Sequence, residues 1–203
     1  MLKKIFLFDL DKTLITCDSL KQLIFFLFKK YPKYILFKIP SLTQIIFEHL
    51  LSNCNHKTET KSKFISKLLE GFNKTEVNDF SKQFAIYIFN NFKNKKIFEK
   101  LLSAKKITKD VYIVTASVDF YCKFLARLFD VKLISTKVNL HKKNFGQLEG
   151  KNCFGNEKKL RVLLTIKNFK KKYSFFFTDS KSDLPLLRIC DKGYYVWTNL
   201  IFL

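Results

Sequence analysis

Four of the ten aspartates in the chain follow two short apolar segments at the point where each segment ends. Asp9 and Asp11 come after the first segment, and Asp179 and Asp183 come after a segment near the end of the chain. Both segments have the length and apolar content of buried strands. One aspartate after a strand is often only a turn or helix cap, but four such residues call for another explanation. Carboxylates gathered at one sheet edge repel one another unless a cation lies among them, and oxygen-only ligands favour Mg²⁺.

The elements that would position these acids alternate between strand and helix over most of the chain. Strands are predicted at 4–9, 111–115, 131–136, 173–178 and 193–197, and helices at 95–105, 118–129, 156–168 and 183–190. This alternation predicts an α/β protein with a parallel sheet, helices on both of its faces, and ligands at the carboxyl ends of the strands. A polar stretch that contains Gly146 and Gly150 is expected to form a hairpin.

A block of helices interrupts this pattern after the first strand. Residues 19–52 are rich in Leu, Ile and Phe, and Pro32 and Pro40 divide them into two or three helices. A polar linker and two more helices, separated by Gly71, follow; their predicted ranges are 53–61, 61–70 and 75–91. We therefore expect a first core segment at 1–15, an inserted helical cap at 16–92, and the remainder of the core at 93–203.

Four segments resemble the motifs of the haloacid dehalogenase-like (HAD) phosphatases, in the order in which that family has them. They are FDLDKTL (8–14), VYIVTAS (111–117), GNEKK (155–159) and TDSKSDLPLL (178–187). The helical block lies where the family carries its C1-type cap, so the resemblance covers essentially the whole chain and implies a HAD-like Rossmannoid sheet. The segments DSL (18–20) and GKNCFGNEK (150–158) are similar to subfamily IB, the phosphoserine-phosphatase-like branch. Lys12 is a departure, since the family often has glycine there.

The resemblance implies a role for each matching residue. Asp9 would be the nucleophile that forms an aspartyl-phosphate, and Asp11 would protonate the departing alcohol and later deprotonate water. Thr115 and Lys158 would bind the phosphoryl group, although the neighbouring Ser117 and Lys159 remain alternatives to them. Mg²⁺ would be bound by Asp9, the backbone carbonyl of Asp11 and Asp179, with Asp183 ligating it or orienting its waters, and Thr13 would cap the turn after Asp11.

The sequence says less about the substrate. Asp18 stands where phosphoserine phosphatases carry a glutamate that selects the substrate, but its position before a helix favours a plain N-cap. None of the three arginines lies in the predicted cap, where one could bind a serine carboxylate. We therefore expect a small cytosolic phosphomonoester as the substrate, without naming it.

The first cap helices offer an alternative substrate class. Residues 20–51 contain 19 apolar positions out of 32, with five lysines between them. A cap packed into its own core explains much of this composition, but a basic, aromatic surface is also typical of helices that lie in a membrane interface. The layout resembles the cap of the C-type phosphatidylglycerophosphatases. The alternative is therefore an interfacial phospholipid phosphatase at an anionic membrane surface.

Composition limits the remaining function classes. The net charge of +21 comes from 35 lysines and only three arginines, spread along the whole chain, which is a poor signature for a specific nucleic-acid partner. A non-catalytic basic binding module is the remote alternative, and the intact set of acids argues against it. The five cysteines form no CxxC pair, so neither a disulfide framework nor a zinc site is expected.

The location of the protein follows from two further expectations. The Phe-rich early region has no apolar run near the ~20 residues of a spanning helix, and the first residues lack the layout of a secretory signal. We expect a cytoplasmic protein that is peripheral at the membrane if the phospholipid alternative holds. The sequence gives no indication of the oligomeric state.

Overall fold

The computed structural model describes residues 3–51, 57–169, 172–197 and 200–202. Its strands are β1 (Lys4–Phe8), β2 (Val111–Val118), β3 (Lys132–Val138), β4 (Leu148–Glu149), β5 (Tyr173–Thr178), β6 (Lys192–Trp197) and β7 (Leu200–Phe202). They form one seven-stranded sheet in the order β4-β3-β2-β1-β5-β6-β7. The five strands β3, β2, β1, β5 and β6 are parallel, and β4 and β7 pair antiparallel at the two edges. The predicted α/β class with a mainly parallel sheet is confirmed.

Helices cover both faces of this sheet. They are α1 (Ser19–Lys30), α2 (Pro32–Leu36), α3 (Ile39–Leu51), α4 (Lys57–Leu69), α5 (Lys74–Phe92), α6 (Lys95–Ile107), α7 (Asp119–Phe129), α8 (Asn156–Thr165) and α9 (Leu184–Leu187). The side chains of β1 alternate between two buried clusters because successive residues of a strand point to opposite faces. Phe6 and Phe8 belong to the cluster that includes α1, α5 and α7, whereas Ile5 and Leu7 pack with α8 and α9.

The helices α1–α5 leave the sheet and return to it at adjacent points of the backbone. The amide of Thr16 donates to the carbonyl of Phe92 at 2.8 Å, and the amide of Asn94 donates to the carbonyl of Leu14 at 2.9 Å. These bonds close the insertion between residues 16 and 92. They favour the predicted division into 1–15, 16–92 and 93–203, which stays a prediction.

The inserted helices share a hydrophobic core with one face of the sheet. Phe84 on α5 meets Tyr121 on α7 edge to face, with ring centroids 5.2 Å apart, and Phe80 meets Phe120 at 6.3 Å. Aromatic rings in this arrangement gain from both burial and the attraction of ring edge to ring face. The packing between α5 and α7 therefore fixes the inserted helices against the core.

Some element boundaries match the sequence predictions and others differ. As predicted, Pro32 and Pro40 divide this region into helices: Pro32 is the first residue of α2 and Pro40 lies in the first turn of α3, where proline is tolerated. The predicted linker at 53–61 lies partly outside the described residues, and α4 already begins at Lys57. The helix predicted at 183–190 is a single turn, α9, preceded by a 3₁₀ turn. The hairpin predicted around Gly146 and Gly150 is present as β3 and β4.

No helix in the described part of the chain has both the length and the apolar character needed to cross a bilayer.

Candidate active site

The carboxyl end of β1 continues into a tight turn that carries the first pair of acids. The amide of Leu14 donates to the carbonyl of Asp9 at 3.4 Å, and that of Ile15 donates to the carbonyl of Leu10 at 3.0 Å. These two i to i+5 bonds close the turn, but Asp11 and Lys12 have non-helical backbone angles, so the segment is a tight loop rather than a helix. Lys12 has a left-handed backbone with φ of 54°, which glycine adopts without strain. This explains why glycine is frequent at the matching position of the resembling family.

The acids after β1 and β5 lie side by side because these strands are parallel neighbours. The amide of Asp9 donates to the carbonyl of Phe177 at 2.8 Å, and the next residues beyond β5 are Thr178 and Asp179. The hydroxyl of Thr13 donates to Oδ1 of Asp179 at 3.4 Å. The loops that carry the predicted nucleophile and the predicted metal-binding acid therefore touch at the carboxyl ends of the parallel strands. We call this end of the sheet the carboxyl edge, or sheet edge.

Lys158 lies between two of the acids. Its Nζ is 3.1 Å from Oδ1 of Asp9 and 2.7 Å from Oδ2 of Asp183. All three side chains are at most 10% exposed, and Thr178 donates a further hydrogen bond to Asp183 at 2.6 Å. The first turn of α8 brings Lys158 inward, whereas its neighbour Lys159 is half-buried elsewhere. The structure thus brings Lys158, rather than Lys159, to the acids.

Burial dominates the electrostatics of this cluster. It raises the pKa of Asp9 to about 7, which Lys158 opposes and Asp183 and Asp11 reinforce. For Lys158, burial alone would lower the pKa, but Asp9 and Asp183 outweigh it, so the pKa is raised and the amine stays charged. Burial also raises the pKa values of Asp11 and Asp179. A single lysine therefore does not offset all the negative charge that these acids can carry.

Both Thr115 and Ser117 lie at this edge, because β2 extends to Val118 instead of ending at Thr115 as predicted. The pairing of β2 with β3 is irregular between Val114 and Val118, so the strand bends where the site begins. The buried Thr115 hydroxyl accepts a hydrogen bond from the amide of Ser117 at 3.0 Å. The Ser117 hydroxyl donates instead to Oδ2 of Asp11, at 2.5 Å.

Asp11 is held from two sides. In addition to Ser117, the backbone amide of Ser19 donates to Oδ1 of Asp11 at 2.8 Å. Ser19 is the first residue of α1, so this bond connects the predicted acid to the inserted helices. Hydrogen bonds from Ser117 and Ser19 lower the pKa of Asp11, but the effect of burial is larger and the net shift is upward.

The donors at this edge fit a hard divalent cation. Oδ1 of Asp183 is buried and has no hydrogen-bond partner among the described residues, an arrangement that is costly unless another group satisfies it. Across those residues, no three His, Cys, Asp or Glu side chains form a ready cage for a metal. The predicted set needs only two such side chains, Asp9 and Asp179, plus the backbone carbonyl of Asp11. Mg²⁺ commonly binds through one or two carboxylates and keeps several waters.

Two residues near the site have structural explanations. Asp18 accepts a hydrogen bond from the amide of Lys21 at 3.0 Å, so its predicted role as the N-cap of α1 is confirmed, and substrate selection by Asp18 stays a prediction. Burial, with Asp11 and Asp18 nearby, raises the pKa of the Cys17 thiol to about 12. The thiol is therefore protonated at neutral pH and a poor nucleophile.

Four further residues at the edge of the site were missed by sequence reasoning. Lys61 on α4 donates to the carbonyl of Ala116 at 2.6 Å and to Oδ1 of Asn152 at 3.0 Å. The hydroxyl oxygens of Ser19 and Tyr121 form a hydrogen bond of 2.8 Å next to Ser117. Ser19 and Asn152 lie inside segments that carry the family resemblance, which could have pointed to them. Tyr121 and Lys61 have no local signal, because only the folded chain brings them here.

The sequence profile of the haloacid dehalogenase-like hydrolases matches residues 6–188. The chain belongs to this family. The match covers all four motifs, so the predicted family and the hydrolase class of the enzyme are confirmed. No curated protein matches this HAD-like hydrolase.

Solved structures share the fold of this HAD-like hydrolase at low sequence identity. A protein of unknown function from Bordetella pertussis Tohama I has a TM-score of 0.77 at 22% identity, over 95% of this chain and 89% of that one. A phosphoserine phosphohydrolase-like protein from Francisella tularensis has a TM-score of 0.59 at 15% identity, over 94% and 85%. A phospho-aspartyl intermediate analogue of phosphoserine phosphatase has a TM-score of 0.59 at 13% identity, over 95% and 86%. At these identities the likeness shows the fold alone.

Proposed function

We propose that this HAD-like hydrolase is a Mg²⁺-dependent phosphomonoester phosphohydrolase that works through an aspartyl-phosphate on Asp9. The observation that carries the proposal is Lys158, buried between Asp9 and Asp183 at the carboxyl edge of the sheet. A buried cation at this place keeps a carboxylate available for attack and attracts a phosphate dianion. The structural neighbours described above as phosphoserine-phosphatase-like support the same reaction class.

In the first step, Asp9 attacks phosphorus and the bond between phosphorus and the alcohol oxygen breaks. Asp11 gives its proton to the departing oxygen, so that no free alkoxide forms. Thr115 and Lys158 stabilise the phosphoryl oxygens, since the Thr115 oxygen that accepts from Ser117 can still donate its own proton. The product of this step is an aspartyl-phosphate and a free alcohol.

In the second step, Asp11 takes a proton from water as the water oxygen attacks phosphorus. The bond between phosphorus and the Asp9 oxygen breaks, which releases phosphate and restores the carboxylate. Asp9, the Asp11 carbonyl and Asp179 would hold Mg²⁺, with the unpaired Asp183 oxygen accepting hydrogen bonds from its waters. Such an ion, when bound, offsets negative charge on the phosphoryl group and on the surrounding carboxylates.

The nucleophile assignment is tested by Asp9→Asn with p-nitrophenyl phosphate as substrate. We expect kcat to fall by about 1000-fold or more, because the amide cannot form the covalent intermediate. The matched control is Asp79→Asn, at an exposed position on α5, which should keep wild-type turnover. Circular dichroism checks that both variants fold. Equal turnover in Asp9→Asn and wild type would reject the proposal.

Metal removal tests the second half of the proposal. EDTA should abolish phosphate release, and added Mg²⁺ should restore it, because the acids at the sheet edge outnumber the buried lysine. A rate that is unchanged after dialysis against EDTA would contradict the Mg²⁺ assignment. A phosphate-release screen with phosphoserine, sugar phosphates, nucleotides and phosphatidylglycerophosphate then ranks the substrates.

A second candidate function, an interfacial phospholipid phosphatase, is favoured by the outer surface of α1–α3. Large apolar side chains there face solvent, with Phe37 at 87% and Leu36 at 59% exposure. We call this the α1–α3 apolar surface; its members are Phe25, Phe28, Leu36, Phe37 and Ile39. Exposed lysines stand among them, and Nζ of Lys29 lies 4.7 Å from the centre of the Phe25 ring. Apolar side chains interleaved with lysines suit the headgroup region of an anionic bilayer.

Sedimentation with vesicles tests this candidate. The wild type should bind vesicles that contain phosphatidylglycerol and not vesicles of phosphatidylcholine alone. Phe28→Ser/Phe37→Ser should weaken the binding by about tenfold, since it removes two large apolar groups from the interface. Leu164→Ser, which alters an exposed apolar residue of α8 away from this surface, is the matched control. Absence of binding to either vesicle would remove the phospholipid candidate and leave the small phosphomonoester.

A further inference from the structure

A chain of hydroxyl groups reaches Asp11 from the side of the inserted helices. The Ser117 hydroxyl donates to Oδ2 of Asp11 at 2.5 Å, and the Ser19 hydroxyl lies 3.0 Å from that of Ser117. The phenol oxygen of Tyr121 lies 2.8 Å from the Ser19 hydroxyl. Ser19, Ser117 and Tyr121 are all buried, so bulk water does not compete for these bonds.

These contacts hold both oxygens of the Asp11 carboxyl group. Oδ2 accepts a hydrogen bond from Ser117, whose hydroxyl group is itself within hydrogen-bond distance of Ser19. Oδ1 accepts a hydrogen bond from the backbone amide of Ser19. With both oxygens held, the carboxyl group is fixed in one orientation about its bond to Cβ.

The packing around Tyr121 holds the far end of the chain in place. Its ring meets Phe84 of α5 edge to face at 5.2 Å and Phe120 at 5.3 Å. Ser19 begins α1, and Phe84 lies on the last inserted helix, so two separate parts of the insertion fix this chain. A side chain used in proton transfer gains from such support, because its orientation is set before the substrate arrives.

We propose that Ser117, supported by Ser19 and Tyr121, is a positioning residue that holds the Asp11 carboxyl group in the orientation from which it acts on the leaving group. The inference rests on the proposed phosphatase function and separates the roles of two candidates: Thr115 binds the phosphoryl group, whereas Ser117 acts through Asp11. It goes beyond the family match, which assigns no role to Ser117.

The two roles predict different responses to the leaving group. Phenyl phosphate and p-nitrophenyl phosphate share the phosphoryl group and the ring, but phenolate is the poorer leaving group and needs protonation more. A residue that acts on Asp11 affects phenyl phosphate more strongly, whereas a phosphoryl ligand affects both substrates by a similar factor. The ratio of kcat/KM for the two substrates therefore reports on Asp11 rather than on phosphate binding or folding.

The experiment compares this ratio in wild type, Ser117→Ala, Asp11→Asn and the double variant. Ser117→Ala should raise the preference for p-nitrophenyl phosphate by about tenfold, in the direction of Asp11→Asn, because both weaken proton transfer. In the double variant, the preference should equal that of Asp11→Asn, since Ser117 acts only through Asp11. Ser117→Thr, which keeps the hydroxyl, should restore most of the wild-type ratio.

Two more variants keep the test decisive if Ser117→Ala folds poorly. Tyr121→Phe removes only the hydroxyl group farthest from Asp11. It should raise the preference for p-nitrophenyl phosphate by about two- to threefold, a weaker effect because this hydroxyl group acts on Asp11 only through Ser19 and Ser117. Ser81→Ala removes a buried hydroxyl on α5 that has no hydrogen-bond partner among the described residues, and should leave the ratio at its wild-type value. It is the matched control.

An unchanged ratio in Ser117→Ala and Tyr121→Phe, with both substrates slowed equally, would overturn the inference while leaving the phosphatase proposal intact. Additive effects of Ser117→Ala and Asp11→Asn would also overturn it. If the wild type hydrolyses neither substrate in the presence of Mg²⁺, the phosphatase proposal fails and the inference fails with it.

Discussion

At the carboxyl edge of the sheet, charged groups are buried and paired, whereas on the α1–α3 apolar surface large apolar groups face solvent with lysines between them. Lys158 and its two acids are at most 10% exposed, while Phe37 is 87% exposed. Both arrangements depart from the usual distribution of residue types between interior and surface. One is built from a few buried polar contacts, and the other from exposed apolar side chains with lysines beside them.

The difference separates what the reaction needs from what substrate choice needs. Attack on a phosphoryl group requires particular groups within hydrogen-bond distance of one another, so the sheet edge is tightly specified. Selection of a leaving group, or of a membrane surface, depends on shape and composition, which many sequences satisfy. We therefore expect changes at the sheet edge to have large effects, changes where the inserted helix α4 meets the core to have intermediate effects, and changes on the α1–α3 apolar surface to have small ones.

The largest effect on stability should come from Lys158→Met. The change leaves Asp9 and Asp183 buried without their cation, which should lower the free energy of unfolding by about 3 kcal/mol. Lys159→Met removes the same charge at the next, half-buried position and should cost less than about 0.5 kcal/mol. Urea denaturation of both variants at neutral pH makes the comparison. Similar losses in the two variants would show that the buried contacts of Lys158 contribute no more to stability than the half-buried Lys159 does.

The contact between the inserted helices and the β3–β4 hairpin of the core is tested by Gly146→Ala. Gly146 has φ of 81°, and an added Cβ would lie 2.8 Å from Cα of Ser66 on α4. Gly150 has φ of 78° and nothing within 4 Å of such a Cβ. Gly150→Ala should therefore lower the free energy of unfolding by about 1 kcal/mol through backbone strain alone, and Gly146→Ala by about 2 kcal/mol. Equal losses in thermal or urea denaturation would show that the hairpin and α4 can move apart at little cost.

A pH dependence should follow from Lys61, which connects α4 to β2 and Asn152. Burial lowers the pKa of Lys61 to about 8, although Asp11 opposes this shift, whereas in the unfolded chain the pKa keeps its ordinary value of about 10.4. Between these values the unfolded state binds more protons, so the contribution of Lys61 to stability rises with pH in this window and is lost as pH falls toward 8. Relative to Lys61→Met, the wild type should gain about 1 to 2 kcal/mol from pH 8 to pH 10.

The control for this comparison is Lys63→Met, at an exposed position of the same helix. Lys63→Met removes the same charge from the same helix without removing a buried contact, so its difference from wild type should be the same at every pH tested. Urea denaturation at several pH values measures both differences. A difference between wild type and Lys61→Met that is flat from pH 8 to pH 10 would contradict the burial of this amine.

The smallest effect is expected for Phe37→Ser on the α1–α3 apolar surface. Because the ring is almost fully exposed, its removal should change the free energy of unfolding by less than about 0.5 kcal/mol and leave turnover of p-nitrophenyl phosphate unchanged. Thermal denaturation and a standard assay check this. A loss above about 2 kcal/mol, the size expected for a buried apolar residue, would place Phe37 inside a packed interface in solution.

Much of the sheet edge could be predicted from the sequence because its signals are local. The apolar runs of β1 and β5 and the acids that follow them are continuous stretches of chain, and parallel pairing then brings Asp9 next to Asp179. Lys158 is similarly marked by Gly155, which precedes α8 with φ of 58°. Local sequence and general rules of sheet topology were sufficient to group the acids, whereas the choice of Lys158 also needed the resemblance to the HAD phosphatases.

The remaining contacts could not be predicted because they depend on where whole elements end. Ser117 meets Asp11 since β2 continues past Thr115, and that continuation is supported by Thr136 of β3, which donates to the carbonyl of Ala116 at 2.7 Å. Tyr121 and Lys61 reach the site through the packing of α7 and α4. The apolar pattern of α7 marks its buried face, but it does not indicate which other element that face meets.

The central claim is that Asp9 becomes phosphorylated, and trapping that intermediate tests it most directly. Asp11→Asn should still transfer a phosphoryl group from p-nitrophenyl phosphate, since this leaving group needs little protonation, but should activate water poorly, so the intermediate accumulates. After acid quenching and digestion, mass spectrometry should find one phosphoryl group on the peptide that contains Asp9, and none when Asp9→Asn is added. A phosphoryl group on any other residue, or p-nitrophenol release in a burst without a phosphorylated Asp9, would contradict the account.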